Sequence, residues 1–261
     1  MGKKEIVEQQ SYYVVKANAL IQKTRYSFTA QQQKLLNFMI SKIKPEDKPE
    51  TEYKIRMVDF CRVCGIIQTA ADKESKKELS GYYYKSIKDD LAVLSDTATW
   101  IEIDKNRETR ARWLSHITIE KNTGTIYYEF DRFMYPYLFE LKERFTEYSG
   151  ELTYCLSSQY AIRLYEILKS FEWEGKMKRI ELDELKNRMY ITSYDRFPDF
   201  RRRVLEPAIK EINKGTDIKV RYEQITDGRS VVALRFFYEE LSTDEINNRR
   251  DWRYSVLKID S

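Results

Sequence analysis

An α+β chain that uses one structural unit twice is the fold class this sequence predicts. Three observations carry that expectation. "FTAQQQKLLNFMISKI" (residues 28–43) lies over "LSSQYAIRLYEILKSF" (156–171) without a gap. A strand-like run and two more helical segments follow in each half. Each half then closes with strand-like runs around a turn signal.

Composition limits what such a chain can do. Its 261 residues allow one or two domains. A hydrophobic content of 42% is enough for a core, and 20 Tyr with 12 Phe argue against disorder. No apolar run approaches the roughly 18 residues of a membrane span, and "MGKKEIVEQQ" has no signal-peptide core. A cytoplasmic location without a membrane partner is therefore expected. A net charge of +4 hints only weakly at an anionic partner, so the distribution of cations must carry the argument. Three cysteines fit a reducing compartment. Cys61 and Cys64 form a C-x-x-C, but a four-ligand metal site would need them to converge with Cys155 and His116, the single histidine. Packing as small hydrophobes beside Val58 and Phe60 is the simpler reading. There is no phosphate-binding glycine loop and no EF-hand loop. No cofactor, metal or catalytic residue is expected, and the chain is expected not to be an enzyme.

Taken in order, residues 1–11 read as a tail. The first repeated helix follows, with Thr29 as its N-cap and Leu36 and Ile40 on its apolar face; the second copy has Ser157, Leu164 and Leu168 at those places. "YKIRMVDFCRVCGI" (53–66) then lies over "KRIELDELKNRMYI" (178–191), matching Ile55 to Ile180 and Phe60 to Leu185, with Asp59 and Asp183 near the start of a second helix. A third helix runs from Tyr82 in one half and from Pro198 in the other. Strands close each half, turning at Asn122-Thr123-Gly124 and at Asp227-Gly228. Pro136 and Gly150 punctuate the junction. The expected division is 12–135 and 136–241, with 242–261 a second tail.

Helix, strand, helix, helix, hairpin is the order of a winged helix, so two tandem winged-helix domains are expected. The third helix of each would enter the major groove with its N-terminal end. In the second half that end carries Arg201-Arg202-Arg203. Cations there oppose the helix dipole, and an anionic partner explains them. At about 100° per residue, Phe200, Val204, Leu205, Ala208, Ile209 and Ile212 fill one side, and Arg196, Arg203, Lys210 and Lys214 line the other, with Arg202 at the margin. Arg201 falls in the apolar arc and is expected to pair with Asp183 or Glu184, or to reach a phosphate. Pro207 is expected to bend the helix. Lys219 and Arg221 on the following strand, and Arg229 beside the turn, would add DNA contacts. In the first half the candidates are Lys85, Ser86 and Lys88 on the third helix, and Lys105, Arg107, Arg110 and Arg112 near a strand end. These would contact phosphates and set register. Asp89 and Asp90 would repel phosphate unless turned away.

"YDRFPDFRRRVLEPAIKEIN" followed by "TDIKVRYEQITDGRSVVALRFFY" is similar to the second winged helix of the iteron-binding plasmid replication initiators, the Rep family of theta-replicating plasmids. "VVKANALI…FTAQQQKLLNFMI" resembles the opening of their first domain. The resemblance spans roughly residues 12–240. It implies binding of short direct repeats in double-stranded origin DNA, origin opening, and recruitment of the host initiator and replicative helicase. It also implies a monomer on the repeats in equilibrium with a homodimer, joined through the first domain, that represses its own promoter. Arg202 and Arg203 would be the base readers. A two-winged-helix transcription regulator would share every binding feature. A rolling-circle nicking initiator needs paired histidines, and a tyrosine recombinase needs a placed histidine beside Arg and Lys; His116 serves neither. A protein-interaction scaffold would bind no duplex.

Overall fold

The structure is a computed structural model that describes residue 8 and residues 12–67, 81–104, 106–139, 141, 144–175 and 177–258. In chain order the elements are β1 (Tyr13–Ala17), α1 (Asn18–Lys23), α2 (Ala30–Ile40), β2 (Tyr53–Arg56), α3 (Met57–Val63), α4 (Gly81–Asp96), β3 (Ala98–Asp104), β4 (Arg107–Arg112), β5 (Leu114–Glu120) and β6 (Thr125–Phe130). They continue with α5 (Tyr135–Leu138), β7 (Phe145–Ser149), α6 (Glu151–Tyr154), α7 (Gln159–Lys169), β8 (Met177–Glu181), α8 (Leu182–Arg188), α9 (Phe197–Phe200), α10 (Glu206–Gly215), β9 (Ile218–Asp227), β10 (Ser230–Glu240) and α11 (Thr243–Val256).

The repeat is real in three dimensions. Both halves contain a three-stranded antiparallel sheet in which the short strand pairs with the second strand of the hairpin: β2-β6-β5 in one, β8-β10-β9 in the other. Ile55 lies opposite Ile126, and Ile180 opposite Leu234. Leu36 and Leu164 are both fully buried, as are Phe60 and Leu185. Gly124 and Gly228 take positive φ at the two hairpin turns. The two wing sheets are separate, so the chain is two winged helices and not one continuous sheet.

Several details differ from expectation. Thr29 caps α2 through a reciprocal box with Gln32, but α7 is capped by Ser158, one residue later than expected. The Ser157 N–H and hydroxyl instead both donate to the Glu211 carboxylate at 2.8 Å, which ties the start of α7 to α10. The first half also holds an extra two-stranded hairpin, β3–β4, so Arg107, Arg110 and Arg112, expected near a strand end, lie along a strand of their own. β7, placed in the second half by the expected boundary at 135/136, pairs along its length with β1.

Residues 242–261 were expected as a tail, yet 243–256 form α11, closed by a capping box between Ser242 and Glu245. The helix packs back on the protein. Arg253 is fully buried and donates to the Gly215 carbonyl at 3.3 Å, while Arg249 donates to the carbonyls of Thr216 and Ile218. Trp252 sits so close to Gly215 that a Cβ there would lie 2.3 Å from the indole ring. Leu257 closes against the backbone of Gly65, and Lys258 reaches the Ile66 carbonyl at 3.4 Å, both in the first half.

A buried polar network joins the halves. Lys16 on β1 donates to Glu166 on α7 and to Asn37 on α2, each at 2.7 Å. Tyr148 on β7 donates to the same carboxylate, and the Asn37 amide reaches it at 3.3 Å. Arg163, 3.9 Å from Glu166, spends its other donors on the carbonyls of Ile21 and Thr24 at 2.7 Å and of Arg188 at 3.0 Å. Burial opposes ionisation of Glu166, but Lys16, Arg163 and the donors around it hold the carboxyl below its usual range.

Glu166→Gln should destabilise the protein by about 3–5 kcal/mol in denaturant unfolding, because Lys16 and Arg163 would be left buried without their counter-charge. A carboxyl whose folded pKa is depressed contributes stability that is present above the ordinary Glu value of about 4.3 and is lost as pH falls through the folded value. The wild-type protein should therefore lose stability across that acid window, and Glu166→Gln should lack this limb. Gly215→Ala should cost about 1–3 kcal/mol by overpacking Trp252. Trp252→Ala in that background should cost less than it does alone, which a double-mutant cycle of melting curves would show.

Candidate nucleic-acid interface

The third helix of the second half is not a single regular helix. α9 is preceded by exposed Arg196 as its N-cap, with extended backbone and a carbonyl that accepts from the Asp199 and Phe200 amides. Pro198 and Asp199 occupy the first turn, where a proline's missing donor is harmless and a carboxylate suits the dipole. Residues 201–205 then form a π turn, with the Glu206 amide bonded to the Arg201 carbonyl, before α10 resumes. Pro207 explains it. The ring has no N–H for the Arg203 carbonyl and would press against it; widening the turn relieves both. The expected bend is thus an inserted wide turn.

That turn resets the register around Arg201. The residue is exposed, not in the apolar arc, and its guanidinium lies 3.2 Å from Glu206 instead of meeting Asp183 or Glu184. The inner face is otherwise as the spacing predicts: Phe200, Val204, Leu205, Ala208, Ile209 and Ile212 are all buried. Arg202, Arg203 and Lys210 are exposed on the outside. Arg202 pairs with Asp199 at 3.2 Å, and the Arg203 guanidinium lies 5.9 Å from the centre of the Tyr194 ring. Lys214, at the far end, is instead drawn over the Trp252 ring at 4.8 Å, toward α11.

The second wing supplies three more of the expected cations. Lys219 and Arg221 alternate with buried Ile218 and Val220 on β9, so both face outward. Arg221 stacks over Phe237 at 3.7 Å and approaches Glu223 at 3.4 Å, which leaves it partly neutralised. Arg229 follows the hairpin turn and is exposed. These groups and the arginine run belong to one winged helix, with its third helix and its hairpin adjacent in sequence and packed together.

In the first half, Lys85 and Lys88 are exposed and three residues apart on α4, so they share a face. Ser86 does not join them. It is half-buried and its hydroxyl accepts from Gln31 at 3.0 Å, which makes it part of the α2–α4 contact. Asp90 is turned inward too, accepting from Gln31 and, at 3.0 Å, from Gln32; burial pushes its carboxyl up. Asp89 stays exposed. On β4, Arg107, Arg110 and Arg112 are exposed, with Arg110 opposite the exposed Trp100. Lys105 lies outside the described residues. Cys61, Cys64 and Cys155 are buried free thiols pushed up to about 12 by burial, the chemistry of packing groups.

Two groups beside the arginine run are not found by counting cations. Lys186 on α8 donates to the carbonyls of Tyr194 and Asp195 at 3.1 and 3.2 Å, and Tyr194 faces Arg203. A lysine that binds backbone carbonyls looks like any solvated lysine in a sequence.

Comparison with known proteins agrees with this architecture. The family described as "Initiator Replication protein, WH1" matches residues 13–169, and that described as "Initiator Rep protein, WH2" matches 181–238. The PI protein of Escherichia coli is 28% identical over 222 residues, covering 76% of this chain and 72% of that protein. The solved Pi initiator protein in complex with iteron DNA has the same fold, with a TM-score of 0.70 at 21% identity over 89% of this chain and 99% of that one. α11 lies beyond the residues either family match reaches. With both winged helices matched over most of its length, the chain belongs to the initiator replication protein family.

Proposed function

We propose that this protein is a plasmid replication initiator that binds direct repeats in double-stranded origin DNA sequence-specifically. The observation that carries the reading is the exposed arginine run at the N-terminal end of the third helix in the second winged helix, each side chain already held by a neighbour. The iteron DNA bound by the Pi initiator supports the target class. In this reading the second domain, within 136–241, reads bases through Arg202 and Arg203. Arg196, Lys210, Lys219, Arg221 and Arg229 contact the backbone. The first domain, within 12–135 and completed by β7, adds phosphate contacts through Lys85, Lys88, Arg107, Arg110 and Arg112, and self-associates. Ser86 is left out because its hydroxyl is already engaged.

The same reading includes opening of the origin, recruitment of the host initiator and replicative helicase, and repression of its own promoter by the dimer. It is a binding function, not an enzymatic one, in the cytoplasm. Among the described residues, no helix is long and apolar enough to cross a membrane. Footprinting of the full chain on the DNA flanking its own gene tests the reading. Protection of tandem direct repeats supports it; protection of a lone inverted repeat alone would reduce the protein to a transcription regulator.

Arg203→Ala should weaken binding to the protected repeat by about 1–3 kcal/mol while barely changing binding to random duplex, the mark of a lost base contact. Lys210→Ala should weaken both alike and lower the slope of log K against log salt by about 0.9. Anisotropy titrations of both variants on both duplexes over a salt series would check this. Loss of target and random binding in equal proportion for Arg203→Ala would make the run a phosphate clamp. Sedimentation of the full chain should show a monomer–dimer equilibrium when free and one protomer per repeat when bound.

A further inference from the structure

We infer that Tyr194 is a positioning residue for base reading: a strained turn, stapled by Lys186, holds its ring where it aims Arg203. The inference rests on the reading of the second winged helix as the part that reads duplex DNA.

The turn between α8 and α9 contains two non-glycine residues in the left-handed region, Tyr190 at φ 52° and Tyr194 at φ 67°. Bulky side chains rarely adopt that backbone, and it persists where the surroundings impose it. Two sets of hydrogen bonds impose it here. The Tyr190 and Ile191 amides bond back to the carbonyls of Asn187 and Lys186 at the end of α8. Farther on, the Lys186 ammonium donates to the Tyr194 and Asp195 carbonyls. That ammonium also lies 5.6 Å from the centre of the ring of buried Phe200, so the staple is anchored on the first turn of the reader helix. A glycine or asparagine would satisfy this backbone with less strain. A tyrosine stands there, and its ring faces the Arg203 guanidinium.

The choice of partner matters. Arg201 and Arg202 lie against carboxylates, which cancel part of their charge and would compete with phosphate or a guanine edge. Arg203 alone of the three rests on a neutral ring. A ring face attracts the cation without occupying its N–H donors. The guanidinium is thus oriented while its hydrogen-bonding edge and full charge stay available, which is what a bidentate contact to guanine requires. Orientation before binding lowers the ordering cost that a free arginine would meet on the DNA.

The test is a cycle on the full chain, read on the footprinted repeat and on a scrambled duplex of the same length across a salt series. Tyr194→Ala should lower the target-to-scrambled affinity ratio about two- to fivefold with the salt slope unchanged, because no charge is removed. Tyr194→Phe, which keeps the ring, should retain the ratio. Tyr194→Ala combined with Arg203→Ala should match Arg203→Ala alone. If Tyr194→Ala melts well below the wild type, Tyr194→Gly takes its place, since it accepts the backbone conformation yet lacks the ring. A wild-type ratio in the folded ring-less variant, or a full additive loss in the double variant, would overturn the inference. If Arg203→Ala itself leaves the ratio unchanged, the base-reading proposal falls and takes this one with it. If Arg203→Ala lowers the ratio and Tyr194→Gly does not, only the role of Tyr194 falls.

Discussion

Everything in this fold hangs on a small set of charges removed from water. Glu166 and Arg163 sit one helical turn apart on α7, almost completely buried, and Lys16 reaches Glu166 from β1. Taking three ions out of water is costly, and mutual attraction offsets that only when every donor and lone pair is used. Here the unused donors of Arg163 go to carbonyls at the end of α1 and the end of α8, so one guanidinium holds backbone from both halves. The cluster therefore fixes how the two winged helices sit on each other more than it adds to their separate stability. An apolar core at this place would pack the helices with less directional constraint.

With the halves fixed, the difference between them becomes one of local chemistry. The first third helix, α4, is regular and turns Asp90 and Ser86 inward to α2. Its counterpart in the second half is broken by a π turn around Pro207, and three consecutive arginines leave its surface in distinct directions. A regular helix would have carried Arg201 toward the core. With the wide turn, Arg201, Arg202 and Arg203 are all exposed while Phe200 and Val204 stay inside. The same irregularity that relieves proline thus spreads the arginines.

Much of this was legible in the sequence, and the reasons are physical. The repeat, the two wings and the buried face of the third helix in the second half follow from apolar periodicity, which core packing enforces strictly at Leu36, Leu164, Ile55 and Ile180. What escaped has no periodic signal. A π turn breaks the wheel that would reveal it. Buried ions such as Lys16 look like surface residues in composition. α11 has little apolar stripe because it buries Arg253 and leans on Trp252; its one legible mark in the sequence is the capping pair Ser242 and Glu245. The cap of α7 slid from Ser157 to Ser158 because Glu211, distant in sequence, claims the first serine. At the candidate nucleic-acid interface the cations could be found by counting, but their contacts could not, since Tyr194 and Lys186 lie in and across a turn whose backbone angles no composition records.

The contact of Lys258 with Ile66 spans 192 positions of the chain. Ribosomes add about 5–20 residues per second, so roughly 10–40 s separate the synthesis of Ile66 from that of Lys258. During that interval the backbone around Gly65 is uncovered, and the second winged helix is still being synthesised. The early half of each new molecule must therefore stand alone for a time, and the cover over Gly65 and Ile66 is added by the last residues described.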